Sequence, residues 1–384
     1  MKGLKVNISI LILLFINFIF TYKYTSRYTD LGIYISIVLL ISQILVYKQC
    51  AKINLSNKLI NIIYFGFISF IIGLVIISHY GIPVETLNVD RWSVISSFLD
   101  ELFNGNYPYY AKSHMGNHPG PMPTYFLISL PFYLIGELSI LSSIGYFIII
   151  FLIIKKIKSN QNSIFLLFYL LTSLYLIWEI TTRSNIFTFT ILILLVLNKF
   201  IDFKSTSNLK FIILAIISGF LLSTRSVFIL AYIIFFLSSL INNEITFKKL
   251  SFFISIALLG FLTTFLPFVI LFKNDFFIMN PFIIQSSFLV PKFYTFIFIL
   301  ISILLTFLVR NKSDKFFYSG ISLFVSILIY SIYHIVNYGF EISFTKSKID
   351  ISYFIFCIPF LIMYLIKNND KKKDKITIAN NGYK

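Results

Sequence analysis

Charge is scarce in this chain: 12% of its residues are Asp, Glu, Lys or Arg, against 58% hydrophobic. A soluble domain could not hide that much apolar surface, whereas a bilayer takes it as solvent. Cysteine is scarcer still. Cys50 and Cys357 stand far apart, in or near apolar segments, and imply neither a disulfide framework nor a metal site. The apolar runs lack alternation, which excludes a membrane barrel and leaves helices, whose backbone groups pair within their own segment. The first run starts at Leu4 behind Lys2 and Lys5 and lacks a small-residue cleavage site; Tyr22-Lys23-Tyr24 is a poor one. It reads as a retained signal-anchor helix. Arginine is also rare. The abundance of Phe, Ile, Lys, Asn and Tyr is a bias that an AT-rich genome produces without functional cause, so each Arg is the more informative.

What is present is a series of long apolar runs. They predict an all-α polytopic bundle of about twelve crossings: 4–21, 31–47, 59–79, 123–154, 163–181, 185–201, 210–224, 226–241, 250–272, 292–309, 316–337 and 351–366. The run 123–154 is long for one straight helix, and Gly136-Glu137 near its middle predicts a bend, a tilt or a re-entrant half-helix; it is counted as one crossing. Residues 1–58 form an N-terminal transmembrane pair, 59–366 the core with an outer loop at 80–122, and 367–384 a polar, basic, disordered tail.

The net charge of +17 raises nucleic acid as a partner. It is rejected, because the cations sit in short clusters between apolar runs. With both termini in the cytoplasm, 22 of the 32 basic residues fall on inner segments, as the positive-inside rule requires. Asp30, Glu85, Asp90, Asp100, Glu101, Glu179, Asp275, Glu341 and Asp350 fall on the outer side. Any chemistry is therefore expected at the outer face of an inner (plasma) membrane.

The outer loop carries Asp90-Arg91-Trp92, then an amphipathic stretch to Phe103. Ile95, Phe98, Leu99 and Leu102 share one face, as in a helix lying in the headgroup layer. Four of the five Arg residues (Arg27, Arg91, Arg183, Arg225) fall outside, against the positive-inside bias. Arg225 interrupts an apolar stretch. It reads as a phosphate ligand, or as a snorkelling residue at a helix end. Arg183 follows Glu179 by four residues and reads as its ion-pair partner. His114 and His118 lie in a Gly/Pro-rich loop; they read as hydrogen bonders to sugar or phosphate, or as plain exposed histidines, rather than as zinc ligands. Trp92, Tyr107, Tyr109 and Tyr110 read as ligand-stacking rings or an interfacial belt. Lys346 and Lys348 are within reach of a phosphate. His334 and Asn337 read as helix–helix hydrogen bonders.

An Asp after an early crossing, an aromatic-rich juxtamembrane helix, Gly105-Asn106-Tyr107-Pro108-Tyr109 and a Pro-rich lead-in to Tyr125–Glu137 resemble the first outer loop of GT-C glycosyltransferases. That superfamily includes protein O-mannosyltransferases, the aminoarabinose transferase of lipid A and polyprenyl-phosphate-mannose-dependent transferases. Leu221-Leu222-Ser223-Thr224-Arg225-Ser226 resembles its Arg-bearing helix break. Asp350-Ile351-Ser352-Tyr353-Phe354 with Ile358-Pro359-Phe360 resembles its late motif, with Ser352 where Arg is usual, and Asn280-Pro281-Phe282 is a fainter echo. The chain departs from the family in having two crossings before the one that leads into the Asp loop and no large C-terminal outer domain. It also lacks Asp-x-Asp, so no metal carries over and a divalent cation is left open.

The resemblance implies a polyprenyl-phosphate sugar donor and Asp90 as the base that takes the acceptor's hydroxyl proton, with inversion. Arg91 beside it would favour the ionised form, and Asp90 also reads as the N-cap of the helix after it. Asp350 and Tyr353 join the expected substrate site. The acceptor, whether glycan, lipid or protein, is unnamed. The rivals are an O-antigen-type polysaccharide polymerase and a lipid-linked sugar flippase or other transporter. Transporters more often show repeats and midplane helix breaks.

Overall fold

The computed structural model describes residues 2–53, 55–160, 162–201, 208–288, 290–345 and 349–368. Among them there is helix and no strand. The helices are α1 (Lys2–Thr25), α2 (Gly32–Gln49), α3 (Asn57–Gly81), α4 (Arg91–Phe103), α5 (Pro123–Ile135), α6 (Ser139–Lys155), α7 (Asn162–Leu171) and α8 (Leu174–Thr181). Then follow α9 (Ile186–Ile201), α10 (Asn208–Leu222), α11 (Ile229–Ile241), α12 (Phe247–Ile278), α13 (Pro281–Phe288), α14 (Lys292–Thr306), α15 (Lys312–Tyr338) and α16 (Ile358–Asn368). Among the described residues six spans are long and apolar enough to cross a membrane, or eight if the bent pairs α5–α6 and α7–α8 each count as one. α9, α10, α11 and α14 are shorter apolar helices.

The sequence-read sides sort into two ends of the bundle. At one end Lys5 pairs with Asp314 at 3.0 Å, and Asn160 donates to the carbonyls of Leu365 and Ile366. At the other end Lys23 donates to Ile349 O. Each pair joins segments read as lying on the same side.

The run 123–154 bends at Gly136-Glu137, as expected there. It is two helices, α5 and α6, that meet at 114°. Gly136 closes α5 with φ of 87°, a left-handed conformation that favours glycine. The Glu137 carboxylate then accepts from Ser139 N at 2.8 Å and opens α6. Both ends of α5 lie at the loop end: Met122 N donates to Thr224 O, and Glu137 meets His79 and Arg183. Thus α5 lies along that end beside α4, where Tyr133 O–H donates to Asp100, and α6 alone carries the run toward the other end.

The N-terminal pair is part of the same core. The break between α7 and α8 frees the Thr172 carbonyl, which accepts from Asn17 Nδ2 of α1, while Gln43 Nε2 of α2 donates to the Thr172 hydroxyl at 2.8 Å. A helix break inside a bundle needs such partners. The centre is α16, in which every residue from Ile358 to Ile366 is buried, against α15, α1, α7 and α9. An all-round apolar helix belongs there. The tail beyond residue 368 lies outside the described residues.

Close approach at small residues joins α10 to α12. A Cβ on Gly219 would lie 1.9 Å from Ala257 O, and one on Gly260 would lie 3.0 Å from Ile216 O. Ala215 and Gly219 form a small-x-x-x-small pair, the usual device for helix contact without a hydrophobic drive. Gly219→Ala is expected to destabilise by about 2 kcal/mol through this overlap, read as a lower melting temperature in detergent; an unchanged midpoint would mean the contact is dispensable.

Candidate functional site

Helix α4 is anchored by the face read from its periodicity. Ile95, Phe98 and Leu99 are buried, and the Phe98 ring stacks on Phe126 of α5 with centroids 3.6 Å apart. Tyr109 joins this aromatic plug, fully buried, its O–H donating to Pro121 O. It therefore braces the loop rather than facing a ligand, which corrects its placement as a substrate-stacking ring. Tyr107 O–H donates to Met279 O at 2.5 Å and ties the loop to the end of α12.

With α4 fixed, Asp90 stands at its start. Its side chain makes no cap hydrogen bond, so the N-cap reading fails. Its Oδ2 instead accepts from Ser113 Oγ and from Asn117 Nδ2, both at 2.8 Å. Among the described residues no hydrogen bond reaches Oδ1. A carboxylate held by one oxygen, with the other open, is oriented to accept a proton from a third group.

Arg91 turns away from Asp90. It forms an ion pair with Asp350 and donates to Ser352 Oγ at 3.1 Å, with its guanidinium 5.6 Å from the centroid of the Tyr353 ring. Burial pushes the Asp350 carboxyl up, but the Arg91 guanidinium, the Ser352 hydroxyl and amide, and Lys23 outweigh it and hold it below its ordinary value. The pair's contribution is therefore complete above pH 3.8 and is lost as pH falls through the lowered value. Asp350→Asn is expected to lower the thermal midpoint at neutral pH and to flatten its decline below pH 3.8, as read by melting curves; curves parallel to wild type would remove the pair from the stability account.

Asp90, Arg91, His118, Arg225 and Tyr353, all expected from sequence, line one cavity of about 440 Å³. Asp350 stands behind Arg91. Arg225 sits in the extended break between α10 and the 3₁₀ turn Ser226–Phe228, over the rings of Tyr125 at 5.3 Å and Phe356 at 5.9 Å. Its Nε is buried without a hydrogen-bond partner, and no carboxylate pairs with it among the described residues. A cation held by ring faces alone is poised for an anionic ligand. Below this polar end the walls are apolar, with Leu230 of α11, Ile299 of α14 and Ile327 of α15.

Other expectations fall elsewhere. His114 is outside the cavity: it stacks on Trp92, Ser93 Oγ lies 2.7 Å from its Nδ1, and Leu87 O lies 3.0 Å from its Nε2, so it pins the loop to α4. His118 lines the cavity with Nδ1 3.0 Å from Ala111 O. Lys346 and Lys348 lie outside the described residues. Arg183 does not pair with Glu179. Its positive φ of 57° turns the chain after α8, and its side chain pairs with Glu137 and donates to Thr181 O and Ile82 O. Glu179 accepts instead from Tyr146 O–H and Ser184 Oγ. Sequence reading missed Gln285 and Lys292, which also line the cavity. Gln285 donates to Gly120 O at 2.6 Å and accepts from Ser226 Oγ. A polar residue after Asn280-Pro281-Phe282 was the available signal.

Among the described residues no group of three or more His, Cys, Asp or Glu side chains is placed to hold a metal ion. No protein-family model, curated protein or solved structure matches the chain.

Proposed function

We propose that the chain is a GT-C-type glycosyltransferase of a bacterial-type inner membrane, crossing about twelve times, with α6 carrying the fourth crossing and both termini in the cytoplasm. The donor is a polyprenyl-phosphate sugar. The observation that carries the reading is one cavity lined by an oriented carboxylate, Asp90, a cation with no carboxylate partner among the described residues, Arg225, and a long apolar wall. The three parts match the acceptor hydroxyl, the donor phosphate and the isoprenoid chain.

In this reaction the acceptor oxygen attacks the anomeric carbon and passes its proton to Asp90 Oδ1. The bond from that carbon to the phosphate oxygen breaks, and the electron pair leaves with the polyprenyl phosphate. Attack opposite the leaving group inverts the centre. Arg225 stabilises the charge that gathers on the phosphate, where a preorganised cation has most effect. The test is transfer of radiolabelled sugar from a panel of polyprenyl-phosphate donors, in membranes with and without the chain. Transfer that depends on the chain supports the reading. Transfer from diphosphate donors alone would favour the polymerase, and movement of the lipid-linked sugar across vesicles without transfer would favour a flippase.

A further inference from the structure

A second cavity, of about 430 Å³, lies between α4, α5, α10 and α12. Leu102, Thr124, Leu127, Phe220, Thr263 and Leu271 are among its walls, and no charged side chain lines it among the described residues. It shares a partition with the first cavity. Two backbone hydrogen bonds, Met122 N to Thr224 O and Thr124 N to Ser223 O, lace the segment before α5 to the end of α10. Pro121, Tyr125 and Arg225 line the first cavity; Pro123, Thr124 and Phe126 line the second.

We propose that this second cavity binds the acyl chain of a membrane phospholipid, which enters sideways between α5 and α12. Leu127 and Leu271 line it and are 63% and 70% exposed, so its walls run on into the lipid-facing surface. A headgroup phosphate finds no cation there, which leaves the chain as the part that fits. The donor's isoprenoid is a poorer occupant, because its phosphate requires Arg225 on the far side of the partition. An acyl chain seated in the second cavity packs against the partition and steadies Tyr125 and Arg225 from behind.

The inference rests on the proposed donor only where it sets the isoprenoid aside, and the labelling below reads occupancy without any transfer activity. The full chain would be placed in nanodiscs of phosphatidylcholine with a diazirine near the end of one acyl chain, irradiated and mapped by peptide mass spectrometry. Labelling at 98–102, 123–130 and 263–272 is expected to exceed that at Leu258 and Leu259, exposed positions on the same α12. Thr263→Trp, which fills the cavity, is expected to lose the excess while the Leu258 label stays. Leu127→Trp at the mouth serves as a second block if the first variant does not fold. Labelling no higher than at Leu258, or unchanged in a folded blocked variant, would overturn the proposal. So would loss of the label on adding polyprenyl phosphate, which would make the cavity a substrate site.

Discussion

Asp90→Asn is expected to lower kcat for sugar transfer by about 10²–10⁴-fold, the span that a lost general base accounts for. Donor affinity should hold, because the phosphate contact is proposed for Arg225 and not for Asp90. The fold should hold as well. Ser113 and Asn117 both donate to one oxygen of Asp90, and the amide oxygen of Asn can accept both bonds. That separates chemistry from structure, since the variant keeps the loop latched while losing the proton acceptor. The measurement is kcat and KM with purified protein and radiolabelled donor, beside a melting curve. Undiminished kcat would make Asp90 a latch for the loop 104–120 and leave the reaction without its base.

Arg225→Met is expected to weaken donor binding by about 100-fold, or about 2.7 kcal/mol, in the range of hydrogen bonds to a charged group. Stability should change little, because no carboxylate among the described residues is left behind. Arg225→Lys should recover only part of the loss. Lysine keeps the charge, but it lacks the planar fork that meets a phosphate with two bonds and lies flat on the rings of Tyr125 and Phe356. Titrating a fluorescent polyprenyl phosphate into purified wild type and variants reads the effect directly. Equal affinities would move the phosphate away from Arg225, with Lys292 the next cation on the cavity wall.

The helical character, α4 and the grouping of Asp90, Arg91, Arg225, Asp350 and Tyr353 were legible in the sequence. Apolar periodicity marks a buried face, and side-of-membrane reasoning brings together residues that are far apart in the chain. What escaped was partner choice. Arg91 and Asp90 are adjacent, so pairing them was the simple reading, yet consecutive residues at a helix start point in different directions, and Asp350 takes the guanidinium instead. Arg183 missed Glu179 because the i,i+4 rule assumes that the helix continues, and α8 ends at Thr181. Helices α5 and α6 were read as one run because an apolar helix lying along one end of a bundle has the same composition as one that spans it. Tyr109 was read as facing substrate because ring count says nothing about which ring faces outward.

The burial of α16 fixes the order in which the molecule can be finished. Synthesis proceeds from the N-terminus, so the helices that surround α16 wait in the bilayer before their central partner exists. Tyr353, which lines the first cavity, and Asp350, which holds Arg91 from behind, arrive immediately before it. Until the ribosome has passed these residues, Arg91 lacks the Asp350 carboxylate and the cavity lacks the Tyr353 side of its wall. A chain cut short before Ile358 would lack the helix that α1, α7, α9 and α15 pack around, and the bundle would stand open along its axis.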